Sequence, residues 1–146
     1  MGLVSLISKL GKNSSHSTST QTPYQAIGGE KAVFALAHGF YDIMESDPAA
    51  AELLAIHPQP MARIRSVFVL YLSMWLGGPN EYEKQFGHPR LRARHLPFTV
   101  TPKLKEQWMY CMRKAMHQHV KQEAIATQLL AALDQLASHM INSPDN

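Results

Sequence analysis

The eight histidines of this chain hold most of its chemical potential, because a neutral imidazole is the commonest protein ligand for a metal ion. His95 stands among apolar Leu91, Leu96 and Phe98, just before Pro97. A single imidazole there could meet an iron from one side, and a hydrogen-bonded core histidine accounts for it equally simply. His57 sits between a helix end and Pro58, where its ring could turn inward, and the same two accounts stand open. His117 and His119 are two positions apart, which on a helix separates them by about 200°, so one ion cannot easily take both. His16 lies in a polar tract, His38 and His139 fall on outer helix faces, and His88 precedes Pro89 at a loop end. None of these four carries a specific signal.

Other chemistries are narrowed by what the residues are and where they stand. Arg90, Arg92 and Arg94, with Lys103 and Lys105, could grip a phosphate or pair with the carboxylates of a cofactor; a solvated helix face explains them as well. No zinc-protease helix, phosphate loop or dinucleotide glycine fingerprint occurs, and Gly28-Gly29 and Gly77-Gly78 lack the strand such loops need. The one cysteine, Cys111, cannot close an internal disulfide or build a cysteine-rich zinc site, which suits a reduced, cytoplasmic setting. Fourteen basic against eleven acidic side chains leave +3, far from the basic stripe of a nucleic-acid binder.

The elements that must position these residues read as helices throughout. At 146 residues, 45% hydrophobic and 17% charged, the chain suits one small core. Its most apolar run, Ser66 to Leu76, is short of the roughly 20 residues that span a bilayer. Residues 1–22 open with apolar Met1 to Leu10 and continue as a Ser/Thr-rich tether, expected to be a flexible extension whose first part could touch a membrane surface. The domain is expected over 23–146. Val33, Ala37, Phe40, Tyr41 and Met44 recur at helical spacing after Gly28-Gly29, so one face of that helix is buried. Asp47 and Pro48 supply the cap and first turn of a short helix through Ile56. A helix from about Met61 to Leu76 turns Ile64, Val67, Phe68, Tyr71 and Trp75 to one side and stops at Gly77-Gly78-Pro79. Asn80 to Pro89 reads as loop, Arg90 to His95 as a short helix. Thr101 and Pro102 start a helix with Leu104, Trp108, Cys111, Met112, Ala115 and Met116 inward, and a last one runs from about Gln122 to Ile141. Met-rich inner faces of this kind could enclose a flat apolar cofactor or simply pack.

One stretch is far more specific. Gly87-His88-Pro89-Arg90-Leu91-Arg92-Ala93-Arg94-His95-Leu96-Pro97-Phe98, followed by Trp108 and Cys111-Met112, resembles the group II truncated haemoglobins. The likeness extends through Tyr24 to Gly29, Phe40-Tyr41 and Gly77-Gly78-Pro79, and on to Met140-Ile141-Asn142, covering about Tyr24 to Ser143. The resemblance implies an all-α, two-over-two helical sandwich around one haem b, with His95 as the axial ligand below the iron. Above the iron it implies Tyr41, His57 and Trp108, with Ile64 and Phe68 along the wall. Tyr82 and Arg92 are implied as partners of the haem propionates, and Phe98 as a further cofactor contact. His57 stands where many relatives carry tyrosine or phenylalanine, which adds an ionisable group.

The function implied is binding of dioxygen and related small ligands, nitric oxide, carbon monoxide and peroxide among them, in redox chemistry or detoxification supported by a reductase. A tryptophan indole only donates and a tyrosine hydroxyl can donate or accept, so Trp108 and Tyr41 would hold a ligand's polar end and slow its release. In the ferric state Tyr41 or water would take the sixth position, with His57 a third candidate. A peroxidase-like enzyme with His57 as base, and a helical interaction module without cofactor, are the competing expectations.

Overall fold

The computed structural model describes residues 21–146; within them every regular element is helical. The apolar Met1 to Leu10 segment and His16 lie outside the described residues. The first helix, α1 (Pro23–Ile27), begins with a reciprocal cap: the Thr22 hydroxyl accepts from Gln25 N–H and the Gln25 side chain accepts from Thr22 N–H, both at 3.2 Å. This capping box satisfies donors that a helix start leaves free. After Gly28-Gly29, α2 (Glu30–Ser46) buries Val33, Leu36, Ala37, Phe40, Tyr41 and Met44, the spacing of one helical face.

Asp47 caps the next segment as its position suggested, its carboxylate accepting from Ala49 N–H at 3.0 Å. The expected single short helix is instead two pieces, a 3-10 turn (Pro48–Ala50) and α3 (Ala51–Ala55). Turns of the 3-10 type are frequent at helix termini. Helix α4 (Ala62–Trp75) ends where Gly77, at φ 88°, and Gly78 return their N–H groups to the carbonyls of Met74 and Ser73. At Gly78 any side chain would collide with the Tyr24 ring, which stands 2.5 Å from where a Cβ would lie.

The span from Asn80 to Pro89 departs from the loop expected there, because it contains α5 (Glu81–Phe86). Asn80 accepts from Glu83 N–H at 3.2 Å and donates to the Glu83 carboxylate at 3.1 Å, and Glu81 and Glu83 place negative charge at the positive end of the helix. Six residues are too few to display a hydrophobic period. Helix α6 (Leu91–His95) follows, then the two long helices α7 (Pro102–His119) and α8 (Glu123–Met140). Helix α2 packs against both α4 and α7, and α7 packs on α8, so two helix pairs are layered over one another. The core between them holds Phe40, Leu72, Met109, Met112, Met116, Leu129 and Leu133, all nearly free of solvent.

Candidate functional site

Beside this core lies a cavity of about 360 Å³, within the usual range for small-molecule sites of about 300 to 1,000 Å³. Its walls come from α2, the turn after α3, α4, α5, α6, α7 and α8. Of the residues expected at the site, Tyr41, His57, Ile64, Phe68, Tyr82, His95, Phe98 and Trp108 all line it. Arg92 does not. On α6 the cavity face is set by Leu91, Arg94 and His95, and Arg92 is turned about 100° from Leu91 and exposed. Arg94 lines the cavity instead: its guanidinium lies over the Tyr82 ring, 5.9 Å from the centroid, and donates to the Phe86 carbonyl at 3.3 Å.

His95 lines the cavity and is held so that one ring nitrogen keeps its lone pair. Its Nδ1 donates to the Leu91 carbonyl at 2.6 Å; a carbonyl cannot donate, so the proton sits on Nδ1 and Nε2 is left as the basic atom. A hydrogen bond of this kind is what fixes a metal-binding imidazole's tautomer and ring plane. Asn142, 47 residues on, fastens the same segment from outside, donating to the His95 carbonyl at 3.3 Å and the Phe98 carbonyl at 2.9 Å while accepting from Val100 N–H at 2.9 Å.

His57 repeats the arrangement at another wall, its Nδ1 donating to the Leu53 carbonyl at 2.8 Å. Leu53 N–H in turn donates to the Gln107 side chain at 2.9 Å, which ties the His57 segment to α7 one residue before Trp108. Burial disfavours the imidazolium and pushes His57 below its usual value; the bond to Leu53 opposes that and His95 adds to it.

Around His57 the aromatic rings interlock. Tyr41 meets His57 edge-on at 6.1 Å and Phe68 at 5.6 Å, while Trp108 lies 5.0 Å from Phe40 and 6.4 Å from Phe68 between centroids. Burial raises the Tyr41 phenol well above its usual value, with Arg65 pulling the other way, so the group stays protonated. Among the described residues neither the Tyr41 hydroxyl nor the Trp108 indole N–H has a hydrogen-bond partner. Tyr71 and Tyr82, 5.6 Å apart and edge-on, carry unpartnered hydroxyls as well. Tyr71 was legible as an inward residue of α4 and not as part of a site, since a phenol at a core position usually finds a partner.

These walls fit a flat, mostly apolar group that carries its own metal. Among the described residues no three His, Cys, Asp or Glu side chains converge, so a bare ion would find no donor set. A group that brings its own iron would need one further donor, and Nε2 of His95 could supply it. Arg94 and Lys105 line the cavity and suit the carboxylates of such a group.

Comparison with known proteins agrees with this construction. Residues 22–142 match the family model described as bacterial-like globin. The chain is 35% identical over 127 residues to group 2 truncated hemoglobin YjbI of Bacillus subtilis, covering 87% of this chain and 93% of the relative. Among solved structures, the cold-adapted truncated hemoglobin of the Antarctic marine bacterium Pseudoalteromonas haloplanktis TAC125 superposes with a TM-score of 0.83 at 48% identity, over 84% of this chain and 99% of that one. The group II 2-on-2 hemoglobin of Agrobacterium tumefaciens gives 0.84 at 37% identity, over 88% and 99%. The chain belongs to the bacterial-like globin family, and within it to the group II truncated haemoglobins. Its fold is the two-over-two sandwich of that group, and membership implies haem and the binding of small diatomic ligands such as oxygen.

Proposed function

We propose that the chain binds one haem b through Nε2 of His95 and retains dioxygen or a related ligand by donation from Tyr41 and Trp108, in redox chemistry on oxygen or nitrogen oxides. The observation that carries this reading is the pair of unpartnered donors, the Tyr41 hydroxyl and the Trp108 indole N–H, in the cavity that His95 also enters. Haem, when bound, supplies an iron with one coordination position open to a small molecule.

The residues do the rest. His95 binds and orients the group from one side. Ile64, Val67 and Phe68 exclude water from the other, which strengthens every hydrogen bond made there. Trp108 can only donate; Tyr41, kept protonated by burial, donates beside it. Arg94, Tyr82 and Lys105 hold the carboxylates, with Phe98 covering the edge. Residues 1–20, ahead of the Thr22 cap of α1, are an extension dispensable for this binding, the location is cytoplasmic, and a reductase is the protein partner. Absorption spectra of the purified protein, oxidised and reduced, test the reading at once: a Soret band that His95→Ala abolishes or shifts is expected, and a colourless protein would instead favour a helical interaction module.

A second reading is favoured by His57. Burial keeps it neutral and its Nδ1 is committed to Leu53, so Nε2 is a base able to take a proton from hydrogen peroxide. Peroxide turnover with an electron donor, compared with His57→Gln, separates an enzyme from a binding protein.

A further inference from the structure

Arg65 projects from α4 toward the outer side of α2 and is largely shielded, its side chain 15% exposed. Its Nη2 meets the carboxylates of Asp42 at 2.8 Å and Glu45 at 3.2 Å. Its Nη1 donates to the His38 carbonyl at 3.2 Å and to His38 Nδ1 at 3.1 Å. The guanidinium is thus clamped along residues 38, 42 and 45, one stripe of α2, and its remaining face lies over the Tyr41 ring, 5.8 Å from the centroid. No lysine in this position could make the same set, because only the planar fork offers parallel donors to several acceptors while its face stays free for a ring.

We infer that Arg65 is a positioning residue for Tyr41: the clamped guanidinium holds the phenol ring so that its hydroxyl stays turned into the cavity, and makes that hydroxyl a stronger donor. The inference rests on the reading of Tyr41 as a ligand donor given above. Tyr41 is fixed on its other sides by Phe40, Phe68 and His57, which are uncharged, so among the described residues Arg65 is the one full charge against its ring. A cation over the ring draws electron density from it and polarises the O–H bond. Asp42 and Glu45 are themselves substantially exposed, at 69% and 42%. Their charges can therefore be solvated when Arg65 is removed, and Arg65→Met should fold.

The test is a double-mutant cycle on the haem-loaded protein, with oxygen dissociation and the carbon–oxygen stretch of the carbon monoxide complex as readouts. If Arg65 acts through the Tyr41 hydroxyl, Arg65→Met speeds oxygen release about three- to tenfold and shifts the stretch when Tyr41 is present. In a Tyr41→Phe background it changes either by less than about twofold. Asp42→Asn with Glu45→Gln, which frees the clamp and keeps the cation, should move both readouts in the same direction by less. Equal effects of Arg65→Met in the two backgrounds, or no effect in either, overturn the inference. A wild-type protein without a Soret band would instead sink the haem reading on which the inference rests.

Discussion

The Tyr110 hydroxyl donates to the Asp47 carboxylate at 2.6 Å across 63 residues of sequence, fastening the corner between α2 and α3 to the middle of α7. Lys114 adds a second donor to the same oxygen at 2.9 Å while lying over the Tyr110 ring. The other carboxylate oxygen caps the 3-10 turn. The corner that leads toward His57 therefore depends on a single aspartate.

These donors, Tyr110 first and Lys114 second, lower Asp47 from 3.8 to about 2. A carboxyl depressed in the fold stabilises it above its unfolded value and loses that contribution as pH falls toward the folded one. Asp47→Asn should thus melt below wild type at pH 6, and the gap should close between about pH 4 and pH 2. Thermal melts across that window check it; a gap that does not depend on pH would mean that the ionisation of Asp47 contributes nothing to the fold.

His95→Ala removes the only imidazole on α6 and should leave a protein that binds haem weakly or only with imidazole added. The helices should persist, since His95 is half-buried at the end of a five-residue helix. Haem titration and far-ultraviolet circular dichroism of the same sample distinguish loss of the ligand from loss of the fold. An unchanged ferrous spectrum would remove His95 from the iron.

Trp108→Phe keeps the ring's packing against Phe40 and deletes its N–H. One hydrogen bond of about 1.5 to 3 kcal/mol corresponds to release that is about 10- to 100-fold faster. Stopped-flow oxygen dissociation measures it, and an unaltered rate would return Trp108 to the role of a core residue.

His57 should titrate below about 6.5 in the folded protein, because burial dominates its surroundings. The sign for stability follows: the unfolded chain takes up the proton first, so the fold loses stability as pH drops from about 6.5 toward the folded value. Histidine proton resonances followed with pH, against His57→Gln for assignment, report the value directly. Titration at or above 6.5 would mean that burial does not dominate the ring's surroundings.

With ferric haem bound and no added ligand, Tyr41 would be the phenol able to compete with water as a ligand. Burial makes its phenolate costly, and only a strong Lewis acid alongside could reverse that. Electron paramagnetic resonance at neutral pH should show a low-spin fraction that disappears in Tyr41→Phe if the phenolate binds. Survival of the fraction in that variant, with loss in His57→Ala, would assign it to the imidazole.

The long helices were readable because four or five turns of periodic apolar residues leave little choice of face, as in Leu104 to Met116 on α7. The GHP to PF stretch located His95, and its distance to Trp108 brought in the other wall. What the sequence concealed depends on helix phase over very short elements. Three alternating arginines on α6 look equivalent until the helix start at Leu91 is known, with Arg90 left-handed at φ 45° before it; only then does Arg94, and not Arg92, face inward. Arg65 and Gln107 were invisible for a different reason. Each acts by reaching across to another helix, and such pairings leave no period or motif in one sequence.

The clasp that Asn142 places on the His95 segment also orders events in time. During synthesis the segment bearing His95 leaves the ribosome 47 residues ahead of the side chain that pins its carbonyl. A nascent chain halted before Asn142 would leave the carbonyls of His95 and Phe98 without that clasp, and with them one wall of the cavity.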